Sequence, residues 1–239
     1  MATRAARGYG QHGGTARALE RVGDRWALLI VRDLLVGPRR YGDLKAGLPR
    51  IPTNILSDRL KELQEAGVLR RVPMVRGGYE LTELGRALEP VLVALERWGW
   101  GLGGEPGDDE GVSADSLAFA LRAAFRPDAA AELPPTEYVL HTGEVSLSAI
   151  VVGRTLDIVP VGDGALPQPR RRSALEPVPQ AVLELDVAPT ALSGLLSGDP
   201  GAPGIAVLTG GGELLERFGR TFRIDPAPTT TGAAGRIAA

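Results

Sequence analysis

"PTNILSDRLKELQEAGVLRR", residues 52–71, decides how the first half of the chain folds. At helical spacing Leu56, Leu60 and Leu63 share one side, while Asn54, Asp58, Lys61 and Glu65 share the other. Thr53, Ser57 and Arg59 lie between the two faces. Pro52 suits a first helical turn and Gly67 a left-handed helix end, so the spacing predicts a helix over 52–66. The leucines would hold it to a core. Core packing does not require polar side chains in the first turns. Their partner is water, another protein or the edge of a base pair.

The neighbouring segments narrow that choice. "TARALERVG" (15–23) reads as a short helix, and "DRWALLIVRDLLVGP" (24–38) as an apolar one capped by Asp24 and ended by Gly37-Pro38. "RRYGDLKAGLP" (39–49) is a third helix, stopped by Pro49. After the opening stretch, "VLRRVPMV" (68–75) reads as a strand, "RGG" as a turn and "YEL" as the returning strand. A long helix starts at Thr82, with Pro90 as a kink point. Four helices, a hairpin and a helix make a winged helix-turn-helix.

The second half has a different pattern. "SADSLAFALRAAF" (113–125) is an amphipathic helix with Ser113 as its cap. Alternating or apolar runs at 136–143, 144–153, 154–162 and 180–189 read as strands. A short helix (190–198), a strand (204–210) and a final helix (212–222) follow. The expected fold class is therefore mixed: a mainly-α winged helix-turn-helix, then an α+β domain with a mostly antiparallel sheet and helices. The expected domains are 1–103 and 113–224, joined by a Gly-rich acidic linker (104–112) and followed by a disordered tail (225–239). Residues 162–180 form a Pro-rich loop.

Charge divides the same way. Residues 1–103 hold 17 Lys and Arg against 11 Asp and Glu, while 104–239 hold 10 against 18. The first part attracts a polyanion and the second repels one. The chain has no cysteine, which excludes disulfides, thiol sensing and cysteine-ligated metal. His12 and His141 form no metal motif. No apolar run approaches a membrane span, and the N-terminus lacks a signal pattern. The expected compartment is the cytoplasm. No nucleophile-base pair, acid pair or metal site is visible, so neither catalysis nor a cofactor is expected.

In a helix-turn-helix the second helix enters the major groove, and its first residues read base edges. Thr53, Asn54 and Ser57 have that position, and Lys61 would reach a phosphate. Asp58 is repelled by phosphate unless it accepts from cytosine or pairs with Arg59 or Lys61. Arg39 and Arg40 stand at the start of the preceding helix, Arg50 in the turn, Arg70 and Arg71 on the first wing strand and Arg76 at the wing tip. A solvated helix face is the alternative for the opening stretch alone; arginines on turn, helix start and wing together favour DNA.

Residues 9–100 resemble the HxlR-type winged helix-turn-helix regulators. The resemblance rests on Gly23-Asp24-Arg25-Trp26, on Arg40-Tyr41-Gly42-Asp43-Leu44, on the pattern from Ile51 to Leu63, and on Tyr79-x-Leu81-Thr82-x-x-Gly85. It implies a homodimer, formed by the first and last helices of the domain, on an inverted-repeat operator. It places Arg39, Arg40, Thr53, Asn54, Ser57, Arg59 and Arg76 where the family meets DNA. Many relatives carry a cysteine before the first helix; here the place reads Gly13-Gly14.

Residues 113–224 resemble, by element order and the "LSGLLSG" helix, a sterol carrier protein 2-like domain. That implies a sheet layered on helices around an apolar tunnel for a hydrophobic small molecule. A filled core is the equal alternative, since Phe119, Phe125, Tyr138, Phe218 and Phe222 suit both. The leading expectation is a DNA-binding regulator with a ligand-sensing or dimerising second domain. A lipid carrier whose helix-turn-helix serves assembly, or a catalytic domain on a DNA anchor, are the rivals.

Overall fold

The computed structural model describes residues 8–72, 77–102, 107, 111–160 and 179–225. Contacts divide the chain into two units: Met1–Val93 with Asp115–Phe119, and Ala94–Ala114 with Ala120–Ala239.

The first unit opens with α1 (Gly14–Val22) and α2 (Ala27–Val36). Asp24 accepts from the Trp26 amide at 3.0 Å, closing the turn that starts α2. A two-residue strand β1 (Arg39–Arg40) precedes α3 (Tyr41–Gly47) and α4 (Thr53–Glu65). Pro52 takes the extended N-cap position of α4, and Gly67 has φ 74°, which only glycine adopts readily. β2 (Leu69–Val72) and β3 (Gly78–Leu81) form the antiparallel hairpin, with Arg70 opposite Glu80 and Arg71 opposite Tyr79.

Two features differ from expectation. Arg39 and Arg40 do not begin the third helix: they pair with Tyr79 and Gly78, making a three-stranded sheet in the order β1-β3-β2. The expected long helix is two, α5 (Glu83–Arg86) and α6 (Glu89–Gly101). Pro90 falls in the first turn of α6, where its missing N–H costs nothing. The core of this unit is aliphatic. Ile30, Val31 and Leu34 of α2 share one buried cluster with Leu56, Leu60 and Leu63 of α4 and with Leu69 and Leu81 of the hairpin.

The second unit holds most of α7 (Ala114–Ala124), then α8 (Pro127–Ala131) and strands β4 (Thr136–Thr142), β5 (Val145–Val152) and β6 (Thr155–Pro160). β7 (Ala181–Val187), a 3-10 turn at Pro189–Ala191, α9 (Leu192–Ser197), β8 (Ile205–Thr209) and α10 (Gly212–Thr221) follow. The sheet runs β6-β5-β4-β7-β8. Its central β4–β7 pair is parallel and the others antiparallel. β4 alternates: Thr136, Tyr138, Leu140 and Thr142 point inward. Tyr138, Phe218 and Phe222 pack on one another with centroids 5.0–5.4 Å apart.

The units do not divide at the expected 103/113 boundary. Asp115 binds Arg39 and Phe119 lies in the aliphatic core of the first unit. Arg97 donates to the Ala123 carbonyl at 2.7 Å within the second. Most of the expected linker, the loop over 161–178 and the tail from 226 lie outside the described residues.

Candidate nucleic-acid interface

The turn between α3 and α4 is fixed by a side chain that no motif or spacing marks. Lys45 Nζ donates to the carbonyls of Pro49 (3.0 Å) and Ile51 (2.8 Å). These acceptors would otherwise face solvent in the turn. Tyr41 of α3 reaches across and donates its hydroxyl to the Thr53 carbonyl at 2.9 Å. α4 is thereby held at its start from α3, and along its apolar side by Leu56, Leu60 and Leu63.

Its opposite side is open. Thr53, Asn54, Ser57, Asp58 and Lys61 are exposed. Ser57 Oγ donates to the Thr53 carbonyl one turn back, at 3.1 Å. The Asn54 amide and the Lys61 ammonium have no partner among the described residues. Asp58 pairs with neither Arg59 nor Lys61 among them. Arg40 is exposed; its backbone amide donates to Asp43 at 2.8 Å, which caps α3. Arg50 is exposed in the turn. Arg71 stacks over the Tyr79 ring at 5.1 Å, and Arg70 pairs with Glu80 at 2.8 Å across the hairpin.

Two of the expected contact residues are held elsewhere. Arg39 lays its guanidinium along Asp115, with Nε 2.9 Å from one carboxylate oxygen and Nη2 2.5 Å from the other. Its side chain is 14% exposed. Arg59 is bound by Glu62 at 2.6 Å and Asp24 at 3.3 Å, which ties α4 to the entrance of α2. Both guanidiniums are neutralised by carboxylates rather than offered to solvent. Arg76 lies outside the described residues.

Below this surface sits a buried acid. Asp33 of α2 is fully buried, and Arg32 binds one of its oxygens at 2.7 Å. The other oxygen has no hydrogen-bond partner among the described residues. Burial raises the Asp33 carboxyl to about 6; Arg32 and Arg39 oppose the rise, and Asp115 adds to it. An aspartate inside "ALLIVRDLLV" was the available signal.

In the second unit, His141 contacts Ser146 Oγ at 2.7 Å and Glu184 at 2.9 Å. Ser146 lies within β5, paired with His141 of β4.

A short turn, an apolar-backed helix with an open polar side and an antiparallel wing define a winged helix-turn-helix domain. The HxlR-like helix-turn-helix family matches residues 21–105. The HTH-type transcriptional regulator YvaP of Bacillus subtilis is 41% identical over 86 residues, 34% of this chain and 80% of its own length. Rv3095 of Mycobacterium tuberculosis, also an HTH-type transcriptional regulator, is 48% identical over 87 residues, 35% of this chain. The chain spans about half of that relative's length, 54%. Among solved structures, quinone-bound YodB of B. subtilis is similar at 32% identity, over 37% of this chain and 97% of that one, with a TM-score of 0.34. The chain belongs to the HxlR-like helix-turn-helix family of transcriptional regulators.

Proposed function

We propose that the protein is a transcriptional regulator of the cytoplasm and nucleoid that binds an inverted-repeat operator as a homodimer. α4 enters the major groove, and Thr53, Asn54 and Ser57 meet base edges. Asn54 pairs with adenine through both of its amide atoms. Arg40, Arg50 and Lys61 contact phosphates, and the wing, including Arg76, follows the backbone or minor groove. Arg39 and Arg59 act indirectly, by holding Asp115, Glu62 and Asp24. The observation that carries this reading is the exposed Asn54, without a partner among the described residues, on a helix whose start is tied down by Lys45 and Tyr41.

A second copy of this chain is the partner. Val91, Leu95 and Trp98 line one side of α6 at helical spacing and are 57%, 44% and 58% exposed. Leu19 of α1 is 45% exposed. Large apolar side chains repeated along one helix face support an association surface. The dimer would set two α4 helices about 34 Å apart, one turn of duplex.

For the second unit, the sterol carrier protein 2-like reading is kept as a proposal on element order: helix, strands, short helix, strand, helix. Tyr138, Phe218 and Phe222 are packed ring on ring, which favours the filled core over a tunnel at those residues. Selection of bound sequences from random duplexes tests the DNA reading. The expected result is a two-fold repeat with half-sites one turn apart; enrichment of no motif would count against it.

A further inference from the structure

The second unit holds an open cleft of about 580 Å³ whose rim is arginine: Arg97, Arg126, Arg220 and Arg223. Backbone hydrogen bonds build it. The Arg126 amide donates to the Thr221 carbonyl at 2.9 Å, and the Arg223 amide to the Ala124 carbonyl at 2.8 Å. These bonds join the end of α7 to the end of α10. Arg97 is anchored by its Nε on the Ala123 carbonyl, leaving its two terminal nitrogens. Phe125 gives the cleft an aromatic wall.

The charges inside are unbalanced. Asp128 is the acidic side chain of the lining, and Arg154, outside the lining, already holds it in an ion pair. Arg223 is paired through Nε with Asp225 at 3.0 Å. Arg126 and Arg220 are exposed and have no carboxylate partner among the described residues. Residues 104–239 carry 18 acidic against 10 basic side chains, so this part of the chain does not need arginine for solubility. Like charges gathered around one concavity repel one another unless an anion sits among them. Guanidinium forks suit phosphate and carboxylate, which they grip with two parallel hydrogen bonds. A concavity of this size fits a small molecule, and the acidic surroundings oppose a duplex.

We infer that this cleft binds a small organic anion, its phosphate or carboxylate groups held by Arg126 and Arg220 and its apolar part against Phe125. The site does not depend on the DNA reading. The test is isothermal titration of the full chain with pyrophosphate and with citrate at matched ionic strength. Saturable binding of either probe is expected, weakened at least about tenfold in Arg126→Gln and in Arg220→Gln. Unfolding midpoints of both variants without probe establish that they fold, which their exposed positions favour. Absence of saturable binding to both probes would overturn the site. So would affinities unchanged in both variants, or a loss of duplex binding in the variants with no probe binding by the wild type.

Discussion

A methyl group on Gly85 would lie 2.1 Å from the Val68 carbonyl oxygen, a backbone atom with no room to move. Thr82 stands in the same knot: its hydroxyl donates to the Gly67 carbonyl at 2.6 Å and accepts from the Gly85 amide at 3.2 Å. Gly85→Ala should therefore cost about 3 kcal/mol, the upper end of the usual overpacking range, read as a lower urea midpoint. Thr82 and Gly85 stood out in the sequence only through a family pattern. Their reason lies in the carbonyls of residues 67 and 68, which no spacing rule reaches. The carboxylate partner of Arg39 is hidden from the sequence for the same kind of cause. Asp115 is 76 residues from Arg39, so its claim on that guanidinium is a tertiary fact. Asp33 gives a second prediction at this scale. Its folded pKa of about 6 lies above the ordinary 3.8, so the stability it contributes is complete below 3.8 and lost as pH rises through 6. The loss is on the order of 3 kcal/mol by pH 8. Urea unfolding at pH 5 and pH 8 should show Asp33→Asn gaining on the wild type at the higher pH. Parallel behaviour of the two proteins would rule out the raised carboxyl.

α4 was legible almost to the residue because its signals are local: proline at the entrance, three leucines at helical spacing, glycine at the exit. The turn before it was legible as a turn, but its lock was not. Lys45 looked like one solvated cation among many, and its two carbonyl acceptors are made available only by the path of residues 48–52. Lys45→Met keeps the aliphatic stem and removes the donor. It should lower stability by about 1–2 kcal/mol and weaken operator binding, though Lys45 contacts no base in the proposed complex. Unchanged affinity in a gel-shift titration would show that α4 needs no such lock. The pairing of β1 with β3 escaped prediction because two residues carry no periodicity. The break between α5 and α6 was marked only by Pro90, which fixes a boundary as readily as a kink.

At the scale of the whole molecule, charge asymmetry divides the chain near residue 103, but not into the units that packing makes. Asp115–Phe119 count with the first unit and the later turns of α6 with the second, because proximity in space, not composition, decides membership. The sheet of the second unit was legible strand by strand through alternating or apolar runs. Its parallel centre was not, since pairing partners are set by the connections. The exposed row on α6 carries the dimer prediction: Leu95→Glu with Trp98→Glu should give a monomer by sedimentation velocity and lose operator affinity. A dimer that persists would move the interface elsewhere. The most direct measurement is the binding of Asn54→Ala to the selected operator and to an unrelated duplex of equal length, at one salt concentration. A loss of about 1–3 kcal/mol on the operator, with the unrelated duplex bound as before, is the predicted result. Equal discrimination by both proteins would contradict the placement of α4 against the bases.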